Sequence, residues 1–115
     1  MPEEQNLDKQ NLFDFLGEVD KELKRKITLV AAGGTAMTLL DLKPSTIDID
    51  FTAPAKDVDE FKKTLKGIPH GFKVDCWTDG VVFSQILPDD YLTRSIPIKK
   101  IKNIELRALH PVDIV

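Results

Sequence analysis

Between Leu7 and Lys26 the apolar residues are Leu7, Leu12, Phe13, Phe15, Leu16, Val19 and Leu23, with polar and charged residues between them. Much of that spacing is helical and predicts an amphipathic helix. Asn6 or Asp8 is placed to cap its start, and Lys21, Lys24, Arg25 and Lys26 suit the negative end of its dipole. The pattern then changes. Ile27 to Ala32 is apolar and β-branched and predicts a buried strand, broken by Gly33-Gly34. Thr35 to Leu42 reads as a short helix, and Lys43-Pro44-Ser45 as a loop, because proline interrupts helices and drives its predecessor towards extended geometry. From Thr46 to Thr52 the alternation is strict: Ile47, Ile49 and Phe51 point one way, Asp48 and Asp50 the other.

Pro54 ends that strand, and Ala55 to Gly67 predicts a helix with Val58, Phe61, Leu65 and Ile68 on one face. Phe72 to Trp77 is a further strand, with Phe72, Val74 and Cys76 on one side and Lys73, Asp75 and Trp77 on the other. Asp79-Gly80 is a turn signal, after which Val81 to Leu87 is expected to pair back as a strand. Pro88 to Arg94 reads as a loop or short helix. Ile96 to Ile101 and Ile104 to Leu109 predict two strands turning at Lys102-Asn103. The closing LHPVDIV reads as the start of an element, with Pro111 in its first turn and Val112, Ile114 and Val115 on its apolar face, and suggests either a fragment or a natural partner surface lying beyond Val115. The order predicts an α+β fold, a mixed β-sheet flanked by α-helices, in a single domain over 1–115.

Composition narrows the function classes. In 115 residues, 42% hydrophobic content suffices for one core, and a net charge of −3 provides no overall basic field for nucleic acid. The apolar run around Leu29 to Ala32 is too short to span a membrane. MPEEQNLDKQ lacks the basic-then-apolar pattern of a secretory signal, which points to a cytoplasmic protein. Cys76 stands alone, so neither a disulfide framework nor a thiolate metal site is expected. His70 and His110 read as loop residues, and Lys99, Lys100 and Lys102 as a solvated strand edge.

Two short patterns carry chemistry. A buried strand that breaks at Gly33-Gly34 and opens a helix leaves backbone N–H groups free to meet phosphate, and glycine permits close approach. Thr35 adds a hydroxyl or a cap. Asp48 and Asp50, two apart on a strand, lie about 6.5 Å apart along one face, where their charges repel unless a cation lies between them. All-oxygen ligands suit Mg²⁺ or Mn²⁺, which also hold substrate phosphates. Asp75 faces away from the apolar side of its own strand. Beside the Asp48 strand it would bring a third carboxylate to one sheet face, as two-metal phosphoryl transfer requires. The same residues are also compatible with a plain turn and a solvated polar strand face.

The run Gly33-Gly34-Thr35, then Asp48-Ile49-Asp50, then Asp75 on a later strand resembles the nucleotidyltransferase (DNA polymerase β-like) superfamily. It is most similar to small prokaryotic members related to toxin–antitoxin nucleotidyltransferases. Ala36, Lys43, Thr46 and the VDCW segment fit that outline over roughly Leu29 to Val115. The resemblance implies a Mg²⁺- or Mn²⁺-dependent enzyme that moves a nucleoside monophosphate from a nucleoside triphosphate to a hydroxyl of RNA, protein or a small molecule. It implies Asp48, Asp50 and Asp75 as metal ligands and catalytic residues, with Gly33, Gly34, Thr35, Lys43 and Arg94 on the phosphates. Arg94 and Asp113 match an Arg and an acidic helix start that follow the third acid. A homodimer or a cognate protein partner is compatible with it. The chain departs from the pattern in having Gly34 where a serine is common and VDCW where a plainer DIF is common. A catalytically inactive antitoxin or interaction module on the same fold is the alternative. DIDFT also fits the Asp-x-Asp-x-Thr of haloacid-dehalogenase-like phosphatases, but it follows KPST instead of a long apolar strand, and the chain is short for that fold.

Overall fold

The computed structural model describes residues 6–83 and 85–114. The first helix, α1 (Lys9–Glu22), starts at a reciprocal capping box. The Asp8 carboxylate accepts from the Asn11 amide at 2.8 Å, and the Asp8 amide donates to the Asn11 side chain at 3.2 Å. Leu7 lies outside this helix and exchanges backbone hydrogen bonds with Thr46. Lys24, Arg25 and Lys26 also lie outside it. Arg25 instead pairs with the buried Asp57 at 2.9 Å.

The remaining elements are β1 (Ile27–Ala31), α2 (Gly33–Leu39), β2 (Asp48–Ala53), α3 (Ala55–Leu65), β3 (Lys73–Thr78), β4 (Val81–Val82), β5 (Gln85–Ile86), α4 (Tyr91–Arg94), β6 (Ile96–Lys100) and β7 (Ile104–Ala108). A single 3₁₀ turn, Pro111–Asp113, follows where a helix start is expected; Val115, the last residue assigned to its apolar face, is outside the described residues. Five strands form one mixed sheet in the order β3-β2-β1-β7-β6. β1 runs antiparallel to β2 and parallel to β7, β2 runs parallel to β3, and β6 antiparallel to β7. The architecture is α+β.

Strand alternation divides the sheet into two faces. Ile27, Leu29, Ala31, Ile49, Phe51, Ala53, Cys76, Ile104, Leu106 and Ala108 form one core cluster with Leu12, Leu16 and Val19 of α1 and Val58 and Phe61 of α3. Phe51 and Phe61 meet edge to face at 5.7 Å, an arrangement worth about 0.5–1.5 kcal/mol beyond area burial. Ile47, expected on this side, precedes β2 and is exposed.

The opposite face is covered only in part. There Val30, Ala32 and Leu109 pack against Val82, Leu87 and Tyr91. Tyr91 comes from the short helix α4, within the stretch expected to be a loop or short helix, and Val82 and Leu87 from a segment expected to pair back as a strand. Instead β4 and β5 pair with each other as a separate two-stranded hairpin. Phe83 stands between them with φ 49°, a left-handed conformation that interrupts extended geometry. The same open face carries Asp48, Asp50 and Asp75.

Candidate active site

Gly33 takes φ 52°, and α2 begins in the glycine pair itself, two residues earlier than its apolar pattern suggests. Only glycine adopts that conformation without steric cost. Ala32 precedes the helix and offers no side-chain cap to the first-turn amides. Four hydrogen bonds fix this turn and the loop residue Thr46 to β2. The Ala32 amide donates to the Asp50 carbonyl at 2.9 Å. The Thr35 hydroxyl donates to the Asp48 carbonyl at 3.0 Å and accepts from the Asp50 amide at 2.9 Å. The Thr46 hydroxyl donates to the same Asp48 carbonyl at 3.1 Å. Thr35 is fully buried, and its hydroxyl is engaged by the acid-bearing strand on both counts. Its place in the structure is a lock between α2 and β2.

This lock brings the glycine turn and the acids to one place. A Cβ built on Gly33 would lie 3.4 Å from Oδ2 of Asp50. One built on Gly34 would lie 3.5 Å from Nζ of Lys43 and 2.8 Å from Oγ1 of Thr46. The Gly34 contact with Thr46 is closer than a real Cβ tolerates, so a side chain there displaces a buried threonine. Lys43 thus reaches back from the loop after α2 to the glycine pair.

The acids align through the register of β2 and β3. Asp50 pairs with Asp75, and Asp48 with Lys73. In-register residues of parallel strands project to the same face, so Asp48, Asp50, Lys73 and Asp75 share it. Asp50 is 6% exposed. Burial, and then the charges of Asp48 and Asp75, push its carboxyl up to about 6, with Lys73 opposing the rise. The Lys73 ammonium stands 4.0 Å from Oδ2 of Asp75. Among the described residues no three His, Cys, Asp or Glu side chains are gathered closely enough to hold a metal ion as they stand. The donor chemistry nonetheless fits a hard divalent cation: oxygen only, acidic, and short of positive charge at Asp50.

Arg94 is placed differently. Its guanidinium donates to Oδ1 of Asp113 at 3.1 Å and lies 3.7 Å from Asp90. The first contact joins α4 to the Pro111–Asp113 turn, the second stays within α4 and its cap, and neither is with the glycine turn. Among the described residues, Oδ2 of the buried Asp113 has no hydrogen-bond partner. One residue at the site escaped the sequence reading. The Phe83 ring reaches over Gly33, 3.2 Å from a Cβ built there, and contacts Trp77 with ring centroids 4.6 Å apart. Its sequence neighbours look like a plain strand, and the left-handed backbone that aims the ring leaves no mark in composition.

In comparisons with known proteins, no family model, no curated protein and no solved structure matches this chain.

Proposed function

We propose that the chain is a metal-dependent nucleotidyltransferase of the DNA polymerase β-like kind. One observation carries the reading: Asp50 and Asp75 lie in register beside Asp48, on the sheet face next to the Gly33–Gly34 turn. The order glycine turn, paired acids and third acid thus corresponds to one location in the fold. The raised proton affinity of Asp50 adds to it, because carboxylates crowded on a partly covered face gain from a shared cation.

In this reading Asp48, Asp50 and Asp75 hold Mg²⁺ or Mn²⁺, which supplies charge neutralisation for the triphosphate and a lowered pKa for an incoming hydroxyl. The Gly34 backbone and Lys43 position the β- and γ-phosphates. Thr35 and Thr46 keep the turn fixed against the acids and do not themselves touch substrate. The acceptor oxygen forms a bond to the α-phosphorus, the bond from that phosphorus to the β-bridging oxygen breaks, and pyrophosphate leaves with the electron pair. The acceptor proton passes to the partly exposed Asp75 carboxylate. Arg94 serves α4 by anchoring Asp113.

Calorimetry with ATP and Mg²⁺, paired with transfer of label from the α-phosphate, tests the reading. Binding and transfer in the wild type, both lost in Asp48→Ala and Asp50→Ala, support it. Unchanged transfer in either variant sinks it. A second reading, a non-catalytic module on the same fold, is favoured by the Lys73–Asp75 approach, which occupies the third acid with an internal cation. Absence of nucleotide and Mg²⁺ binding, with a protein partner recovered from cells, would support it.

A further inference from the structure

Trp77 is the chain's single tryptophan. It lies two residues beyond Asp75 on β3, in register with Thr52, and so on the acid-bearing face, about 7 Å further along the strand. Phe83 meets it from the β4–β5 hairpin with ring planes inclined at 57°. Phe83 is 46% exposed even though its ring lies 3.2 Å from where a Cβ on Gly33 would stand. A bulky residue seldom takes φ 49°, and here that backbone directs an aromatic ring to the rim of the acid cluster. Val82 anchors the hairpin in the second apolar cluster, while Phe83 remains largely outside it.

The surroundings of the glycine pair, where Asp50 stands at Gly33, are therefore unlike on its two sides. Lys43 reaches the Gly34 side, and Phe83 with Trp77 lines the Gly33 side. A nucleoside triphosphate has the same polarity, with its anionic chain at one end of the ribose and a flat π-system at the other. Stacking on aromatic faces tolerates every base, because each has a π-face. We propose that Phe83 and Trp77 form the base-stacking platform for a nucleotide held at the Asp48–Asp50–Asp75 face. The proposal rests on the nucleotidyltransferase reading and adds to it the position and orientation of the base. It also gives the hairpin a role: it supplies a ring that the main sheet lacks.

The single tryptophan provides the readout. The wild type is titrated with ATP and with inorganic tripolyphosphate, each with Mg²⁺, following Trp77 fluorescence and heat. The platform predicts that both ligands bind and that only ATP quenches Trp77. Phe83→Ala and Phe83→Leu should weaken ATP by about 10- to 100-fold and leave tripolyphosphate unchanged, whereas Phe83→Tyr should retain ATP affinity. Unfolding midpoints of the variants verify that the hairpin change has not unfolded the chain. ATP binding with unmoved Trp77 fluorescence and no loss in Phe83→Ala overturns the platform and leaves the nucleotidyltransferase reading standing. Full ATP affinity in Phe83→Leu also overturns it, since apolar bulk would then suffice. Failure of both ligands to bind the wild type overturns the platform together with the reading beneath it.

Discussion

Replacing Asp50 by Asn keeps the shape of the side chain and removes a charge from a buried position. The Asp50 carboxyl, 6% exposed, is raised from an ordinary 3.8 to about 6, mainly by burial and then by Asp48 and Asp75. The folded protein thus binds this proton more tightly than the unfolded chain does. Between those two values stability falls as pH rises, because the ionised carboxylate is disfavoured only in the folded state. The gap corresponds to about 3 kcal/mol, absent below about pH 4 and fully present above about pH 6. Relaxation of the open face reduces it, so Asp50→Asn is expected to be more stable than wild type by about 1–3 kcal/mol at pH 7.5 and nearly equal to it at pH 4. At roughly 4 °C per kcal/mol for a chain of this size, the gain is about 4–12 °C in Tm. The assay is urea unfolding of both proteins from pH 4 to 8 in buffer with chelator, with equal denaturant slopes required. A difference that does not change with pH, or an Asn variant less stable at pH 7.5 than at pH 4 relative to wild type, would refute the reasoning.

Further outcomes follow from the same geometry. Thr35→Val leaves the Asp50 amide without its buried acceptor and should cost about 1–3 kcal/mol in chemical denaturation. Gly33→Ala places a side chain at φ 52° and into the Phe83 ring, and should lower stability by about 1–2 kcal/mol in the same assay. Mg²⁺ should raise the wild-type Tm and leave Asp50→Asn nearly unchanged. Its apparent affinity should fall as pH drops below about 6, where Asp50 takes up a proton. Cys76, whose thiol burial pushes up to about 12, should react with iodoacetamide at pH 8 more than about 100-fold slower in the native protein than after unfolding.

How much of this was legible in the sequence depends on how local each feature is. The two-residue period of Ile49-Asp50-Phe51 separates core from open face without outside help, and the α+β order follows from such local patterns. The Asp8 cap and the Asp79-Gly80 turn are equally local. The alignment of Asp50 with Asp75 is not, because it depends on the crossover through α3 that makes β2 and β3 parallel and in register. Facing alone could put Asp75 on the right side of its strand, but not opposite a given residue. Arg94 shows the same limit: a cation after the third acid suggests a phosphate contact, while its partner Asp113 lies 19 residues on. Thr35 reads as a hydroxyl for phosphate or a cap, because the Asp48 carbonyl and Asp50 amide that engage it belong to the next strand. The β4–β5 segment misled for a different reason. Its composition is that of a strand, and one left-handed residue, Phe83, turns it into a separate hairpin.

The glycine turn and the three acids are proposed to form one nucleotide and cation site. Crystals grown with Mn²⁺ and a nucleoside triphosphate analogue that resists cleavage at the α-phosphate test it most directly, through the anomalous signal of manganese. The expected result is a manganese peak bound by Asp48, Asp50 and Asp75, with the phosphates against Gly34 and Lys43. Nucleotide and manganese bound at another surface, with the Lys73–Asp75 pair intact, would contradict it.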